Sequence, residues 1–415
     1  MSSKFDQSTL PLHAQESLNR LKVSKLMLLL EEHPYKANVE KAFNISDIED
    51  EYIQIDNIDL VYLKIASILE KFKRFNIKAR TRDISLVEHI EPLDEVPGLQ
   101  VKFVFDKYVD QDGSQLDDLE AFAIHDAKAT FLNQYDMAKY ANRLYKDQHY
   151  DLIRQNIEYF RSLATKSKRK DKLRSYRLLE HKNELFVRGI TSVDQYNEYG
   201  IDFAFVVGML VFHGIMKDYP GDNYMISSAA LSASKLHVIV QDKTMKVAKG
   251  FGKVSSSTVI STNDLGNASF KFLNIIKVGI QDSRGFYIFP SSKSEYKNQL
   301  LVTHSTKVDN ALSAIKEHKS ILRSSDEFIE ELEKVKGLNT PNDLRTRILF
   351  KIESKNSPFK PISSLKDLFK PHITNNLENF ARLLEMCRKA EELEITYDLK
   401  DKLRVIISDI IFHNK

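Results

Sequence analysis

Ile201-Asp202-Phe203-Ala204-Phe205-Val206-Val207-Gly208-Met209-Leu210-Val211-Phe212-His213-Gly214-Ile215-Met216-Lys217-Asp218-Tyr219 is the stretch whose reading organises the chain. Drawn as a helix it is apolar on nearly every side, so it must be enclosed by protein or by lipid. A membrane span needs about 20 consecutive apolar residues. Here Asp202, His213 and Lys217 interrupt at closer range, which predicts a helix buried against a sheet. Gly208 and Gly214 are small enough to let strands approach closely, and Pro220-Gly221-Asp222-Asn223 stops the helix by turn chemistry.

Outward from the helix the pattern changes to strands. Residues 224–230, 235–241, 244–249, 254–261 and 268–279 read as a run of them, with Leu236, Val238 and Val240 alternating with polar neighbours. On the other side, apolar runs within 174–190 flank His181-Lys182-Asn183-Glu184, the pattern of a hairpin with Asn183 in its turn.

Two short motifs sit at the ends of this region: Ile190-Thr191-Ser192-Val193-Asp194-Gln195-Tyr196, and Ile260-Ser261-Thr262-Asn263-Asp264-Leu265-Gly266-Asn267-Ala268. In order and spacing the region resembles the uncharacterised phage/plasmid-like protein family found in prophages, plasmids and phages. Those proteins carry a strand ending in an "S-D-R-Y"-like motif, an apolar helix, and strands bearing an "isNSevGxga" motif. The family's "CtNG" turn has no counterpart, because Lys277-Val278-Gly279-Ile280-Gln281-Asp282-Ser283 stands there. The resemblance spans roughly a third of the chain. It implies a mobile-element context and no established chemistry.

The length of 415 residues suits two or three domains. With 42% hydrophobic and 29% charged residues the composition is that of a folded chain rather than a disordered one. The single Cys387 excludes an internal disulfide framework and a cysteine-built zinc site, and points to a reducing, cytoplasmic compartment. Residues 1–11 lack the basic-then-apolar pattern of a signal peptide, so neither export nor a membrane is expected.

The expected fold is α+β. It comprises an N-terminal α/β domain (1–164), a basic linker (165–172), a central mixed or antiparallel sheet packed on the buried helix (173–305), and an all-helical C-terminal domain (306–415). In the first of these, 18–30 and 58–75 read as helices, the second capped by Asp56-Asn57. A hairpin follows at 99–124, turning at Asp110-Gln111-Asp112-Gly113, then helices at 127–145 and 150–163. After a last strand at 286–289, helical patterns run from about 307 to 412, with Pro341, Pro358, Pro361 and Pro371 between them or near their starts.

No stretch carries a catalytic signature. Lys249-Gly250-Phe251-Gly252-Lys253-Val254 resembles a kinase glycine loop, but the lysine strand, catalytic loop and Asp-Phe-Gly that give the loop meaning are missing, so it reads as a turn. Aligning Gly113 with the glycine of a calcium loop puts Tyr108 and Leu119 at ligand positions, which excludes that reading too. No His-Glu-x-x-His or close histidine pair exists. His213 reads as a core histidine bonded to backbone, and His304 as an exposed one beside Thr303 and Ser305. Neither a metal nor a cofactor is expected.

The net charge of +3 hides an uneven distribution. Asp47, Glu49, Asp50, Glu51, Asp56 and Asp59 form an acidic stretch, read as solvated surface. Lys166, Lys168, Arg169, Lys170, Lys172, Arg174 and Arg177 form a basic one, with Tyr159, Phe160 and Tyr176 near its edges. Lysine and arginine neutralise phosphates, and aromatic rings offer stacking faces for unpaired bases. The functional expectation is a non-enzymatic nucleic-acid-binding protein using Lys166, Lys168, Arg169, Lys170, Lys172, Arg174, Tyr176 and Arg177. The alternative is a structural or assembly protein that forms homo-oligomers, or holds a protein partner, through its C-terminal helices.

Overall fold

The computed structural model describes residues 4–12, 18–89, 100–164, 172–193, 195–266, 269–281, 284–289, 299–318, 326–335, 340–370, 377 and 380–413. The fold is α+β, with two large sheets, a two-stranded one and a helical C-terminal region among the described residues.

The larger sheet has nine strands. Its main path runs Ser8–Thr9, Tyr224–Leu231, Lys235–Asp242, Gly252–Asn263, Phe270–Gln281 and Arg284–Ile288, every neighbour antiparallel. Short strands at Ile55–Asp56, Lys246–Ala248 and Gln299–Val302 attach to it. The period-two pattern is realised as expected: Leu236, Val238 and Val240 join one apolar core while Ile239 joins another.

The central helix, Gly200–Asp218, lies in that first core, with Phe203, Phe205, Val206 and Val207 fully buried. Gly208 sets the closeness of approach. A Cβ there would lie 2.6 Å from Cδ1 of Ile260, inside van der Waals contact, so a larger residue would force the two apart. The same core takes in Val23–Met27, Leu28–Leu30 and Ile58–Lys71 from the N-terminal part, which is why the helix needs no polar face. Among the described residues it is the one helix long and apolar enough to cross a membrane, and most of it is buried inside the protein.

The smaller sheet runs Lys73–Arg80, Leu173–His181, Glu184–Ser192, Gln115–Ala123, Gln100–Val109 and Ile84–His89. A bridge between Lys78 and Val109 closes the first five strands into a ring. The predicted hairpin turns on Lys182 and Asn183, whose φ values of 52° and 64° are those of a two-residue turn matched to strand twist. Glu184–Ser192 and Gln115–Ala123 are parallel, and parallel neighbours need a crossover. Helices Ala127–Asn133, Ala138–Lys146 and Tyr150–Ala164 supply it and cover one face of the ring.

Several expectations are corrected. Residues 18–30 are not one helix: Leu21–Lys22 pairs as a strand with Tyr52–Ile53, the helix spans only Val23–Met27, and Leu18 is 74% exposed. The helix from Ile58 ends at Lys71, because Lys73–Arg80 finds a strand partner in Leu173–His181. Asn57 stands at the N-cap position as expected, but its side chain makes no capping bond; its amide donates instead to the Ile226 carbonyl at 3.0 Å. Residues 127–145 break at Asp136, whose φ is +59°. The expected boundary at 165–172 is crossed by the pairing of 73–80 with 173–181. Beyond residue 306, Val308–Glu317 packs into the core of the central helix through Ala311, Leu312 and Ile315. Later helices share one apolar cluster with Ile276, Val278, Phe286 and Ile288 of the larger sheet. In each case an apolar stripe or an open strand edge is satisfied by the nearest sheet rather than by its own neighbours in sequence.

Candidate functional site

Of the eight residues expected to contact nucleic acid, Lys166, Lys168, Arg169 and Lys170 lie outside the described residues. Lys172 is exposed, and its carbonyl accepts from the Thr81 amide and hydroxyl, each at 3.2 Å. That bond fixes the end of the 73–80/173–181 strand pair and sets Lys172 beside Arg80 and Arg82, both exposed. Lys172 and Arg174 also line a recess of about 500 Å³ with Thr130, Asn133 and Gln134.

Tyr176 and Arg177 belong elsewhere. Tyr176 is fully buried, its ring edge-on to Phe105 at 5.0 Å in the core under the crossover helices, so it offers no face to a base. Arg177 is 2% exposed and points to the opposite face of the strand, into a network of charges.

That network stands at the N-terminal end of the central helix. Arg74 and Asp202 form an ion pair, and Arg188 pairs with Glu198. Arg177 reaches Glu198 Oε2 at 3.5 Å and donates to the Asp264 carbonyl at 2.6 Å. Asn76 Nδ2 donates to Glu198 Oε2 at 3.0 Å, and the Gly200 amide points at Asp264 Oδ1 at 3.4 Å. Carboxylates at this end of the helix face its unpaired amides and its positive dipole end. Burial alone would raise the Glu198 carboxyl, but the guanidinium groups of Arg188, Arg177 and Arg74 hold it well below the usual range. Asp264, fully enclosed, is pushed up by burial and by the charge of Glu198.

Aromatic rings pack against the network. The Arg177 guanidinium sits 3.8 Å from the Tyr196 ring centroid, and His304 stacks on Tyr196 at 4.3 Å with the planes 9° apart. His304 is therefore buried rather than exposed, with Nδ1 at 2.8 Å from the Asn197 carbonyl. Arg74, Asn76, Arg177, Tyr196, Glu198 and Asp202 line the inner part of a cleft of about 1070 Å³. Lys73 and Lys78 on the same strand line it too, as do Glu31, Glu32, His33 and Tyr35 on the segment after Leu28–Leu30.

Comparison of the chain with known protein families, curated proteins and solved structures finds no match. The geometry alone carries the functional reading.

Residues 189–191 and 265–266, from the two motif regions, meet beside the network. A Cβ on Gly266 would lie 3.0 Å from Thr191 Cγ2, and one on Gly189 3.2 Å from the Leu265 carbonyl oxygen. Arg74, Arg188, Glu198 and Asp202 escaped the sequence reading because they come from four separate elements with no common spacing. The available signal was two arginines, Arg177 and Arg188, among apolar strand neighbours. Elsewhere, Gly250 and Gly252 form a strand-to-strand turn with positive φ, as expected. His213 bonds the Glu51 carboxylate at 2.8 Å instead of backbone. Three of the six residues of the acidic stretch are ion-paired, through Lys22–Asp50, Lys217–Glu51 and Lys243–Asp56.

Proposed function

We propose that this is a non-enzymatic nucleic-acid-binding protein that contacts phosphates at the corner where segment 166–172 joins the smaller sheet. The observation that supports the reading is the gathering of Arg80, Arg82, Lys172 and Arg174 at one end of a strand pair, beside a recess edged by Thr130, Asn133 and Gln134. These are side-chain types that donate hydrogen bonds to phosphate and sugar oxygens. In sequence the chain runs back from Lys172 through Lys170, Arg169, Lys168 and Lys166, four further cations that lie outside the described residues. Tyr176 and Arg177 take no part in this contact.

The test is fluorescence anisotropy with a labelled mixed-sequence oligonucleotide across a salt series. Each neutralised phosphate contributes roughly 0.7–0.9 to the slope of log affinity against log salt. Changing Lys166, Lys168, Arg169, Lys170 and Lys172 to Gln is expected to lower that slope by up to about four while leaving the thermal midpoint in place. Absence of binding at low salt, or a variant with the full slope, overturns the reading.

A further inference from the structure

Two of the crossover helices are joined by a tight turn. Ala127–Asn133 and Ala138–Lys146 are separated only by Gln134, Tyr135, Asp136 and Met137. The Gln134 amide donates to the Phe131 carbonyl at 3.0 Å, and the Met137 amide to the Leu132 carbonyl at 3.0 Å. Asp136, with φ of +59°, takes the left-handed conformation that glycine often supplies between two such helices.

The second helix has two unlike faces. Ala138, Ala141, Leu144 and Tyr145 are buried in the core beneath it. Lys139, Tyr140, Asn142, Arg143 and Lys146 are all exposed, Tyr140 by 51%. By helical geometry these positions fan over roughly 160° of the outer surface, with Lys139, Arg143 and Lys146 down the middle. The helix contains no acidic residue, and Asp136 and Asp147 stand in the turns at its two ends. Among the described residues no carboxylate pairs with Lys139, Arg143 or Lys146. The result is a convex ridge of positive charge.

The first helix and the turn adjoin the basic corner. Thr130, Asn133, Gln134 and Asp136 edge the recess that Lys172 and Arg174 also line, where Asp136 is the one acidic residue against two basic ones. A convex ridge with cations beside it is complementary to a groove between two phosphate backbones. The major groove of B-form DNA is about 12 Å wide and admits an α-helix, and there arginine pairs with guanine and asparagine with adenine. Where two helices joined by a short turn dock in this way, the first crosses the backbone.

We infer that Ala138–Lys146 enters the major groove of double-stranded DNA. Asn142 and Arg143 face base edges, Lys139 and Lys146 the flanking phosphates, and Lys172 and Arg174 the adjacent backbone at the recess. This rests on the nucleic-acid reading above and assigns it to duplex DNA. An RNA duplex is disfavoured because its major groove is too deep and narrow for side chains to read. A single strand offers no groove to a convex ridge.

The experiment is fluorescence anisotropy with one labelled mixed sequence as DNA duplex, RNA duplex and DNA single strand. It compares wild type with the variant Lys139→Gln, Arg143→Gln, Lys146→Gln. All three side chains are exposed, so the thermal midpoint should stay in place. Wild type is expected to bind the DNA duplex about tenfold or more tightly than either other form. The variant should lose that preference, with the salt slope on the DNA duplex lowered by up to about 1.8, two phosphates at roughly 0.9 each. Equal wild-type binding of the three forms, or a variant with unchanged affinity for the DNA duplex, overturns the groove assignment and leaves phosphate contact at the corner intact. No binding of any form at low salt overturns both.

Discussion

Arg188 and Glu198 form a buried ion pair between a strand of the smaller sheet and the loop that enters the central helix. Arg188 is 1% exposed, and its second guanidinium nitrogen donates to Ser234 Oγ at 3.3 Å in the turn of a larger-sheet hairpin. One side chain thus touches both sheets and the helix entrance. Glu198 shares its carboxylate among Arg188, Arg177 and Asn76, so it is the hub of the arrangement.

Glu198→Gln is expected to lower stability by about 3 kcal/mol or more, because it leaves two buried guanidinium groups with a neutral partner. The folded carboxyl sits below its ordinary value of 4.5. Its contribution is therefore present above that value and lost as pH falls toward the lower folded one. Denaturant titrations at pH 7 and in acid check both parts: the variant should be weaker at pH 7 and lose less on acidification. A drop of under about 1 kcal/mol at pH 7 would show that the network is not needed to hold the two sheets.

Gly266 lies in the turn after Gly252–Asn263 with φ of +91°, where L side chains are strained. A Cβ there would also press Thr191 Cγ2 at 3.0 Å. Gly266→Val should cost more than about 1 kcal/mol, read from the denaturant midpoint at unchanged slope. A neutral result would mean that the turn relaxes away from positive φ.

Lys277, on the face of the larger sheet with Tyr287, donates to Gln241 Oε1 at 3.1 Å. Burial pulls its ammonium down to about 8 from 10.5. Between those values the unfolded chain holds a proton that the folded one has released, so stability rises with pH across the window. The rise should be on the order of 3 kcal/mol at most, and Lys277→Met should abolish it. Thermal or denaturant curves at pH 7, 8, 9 and 10 on both proteins decide this. Parallel curves for the two would place the lysine in water.

The sequence by itself determined the elements whose pattern is local and strong. The central helix, the hairpin turning on Lys182 and Asn183, the longer strands of the larger sheet and the C-terminal helices follow from apolar period and turn chemistry, while its short strands Ser8–Thr9, Ile55–Asp56 and Gln299–Val302 do not. The turn at Gly250 and Gly252 was legible because glycine is the residue that such backbones require. What only the tertiary structure decided is who pairs with whom. Residues 18–30 read as a helix, yet Leu21–Lys22 became a strand because Tyr52–Ile53 offered a partner. The first three residues of strand Lys73–Arg80 passed for the end of a helix, and its pairing with Leu173–His181 carried the hairpin across the expected boundary. The candidate site depends on the same long-range choice. Arg74, Arg177, Arg188, Glu198, Asp202 and Asp264 meet only when two sheets close on the end of one helix. A charge in sequence reads as solvated surface until a partner more than a hundred residues away, as Asp202 is for Arg74, makes its burial affordable.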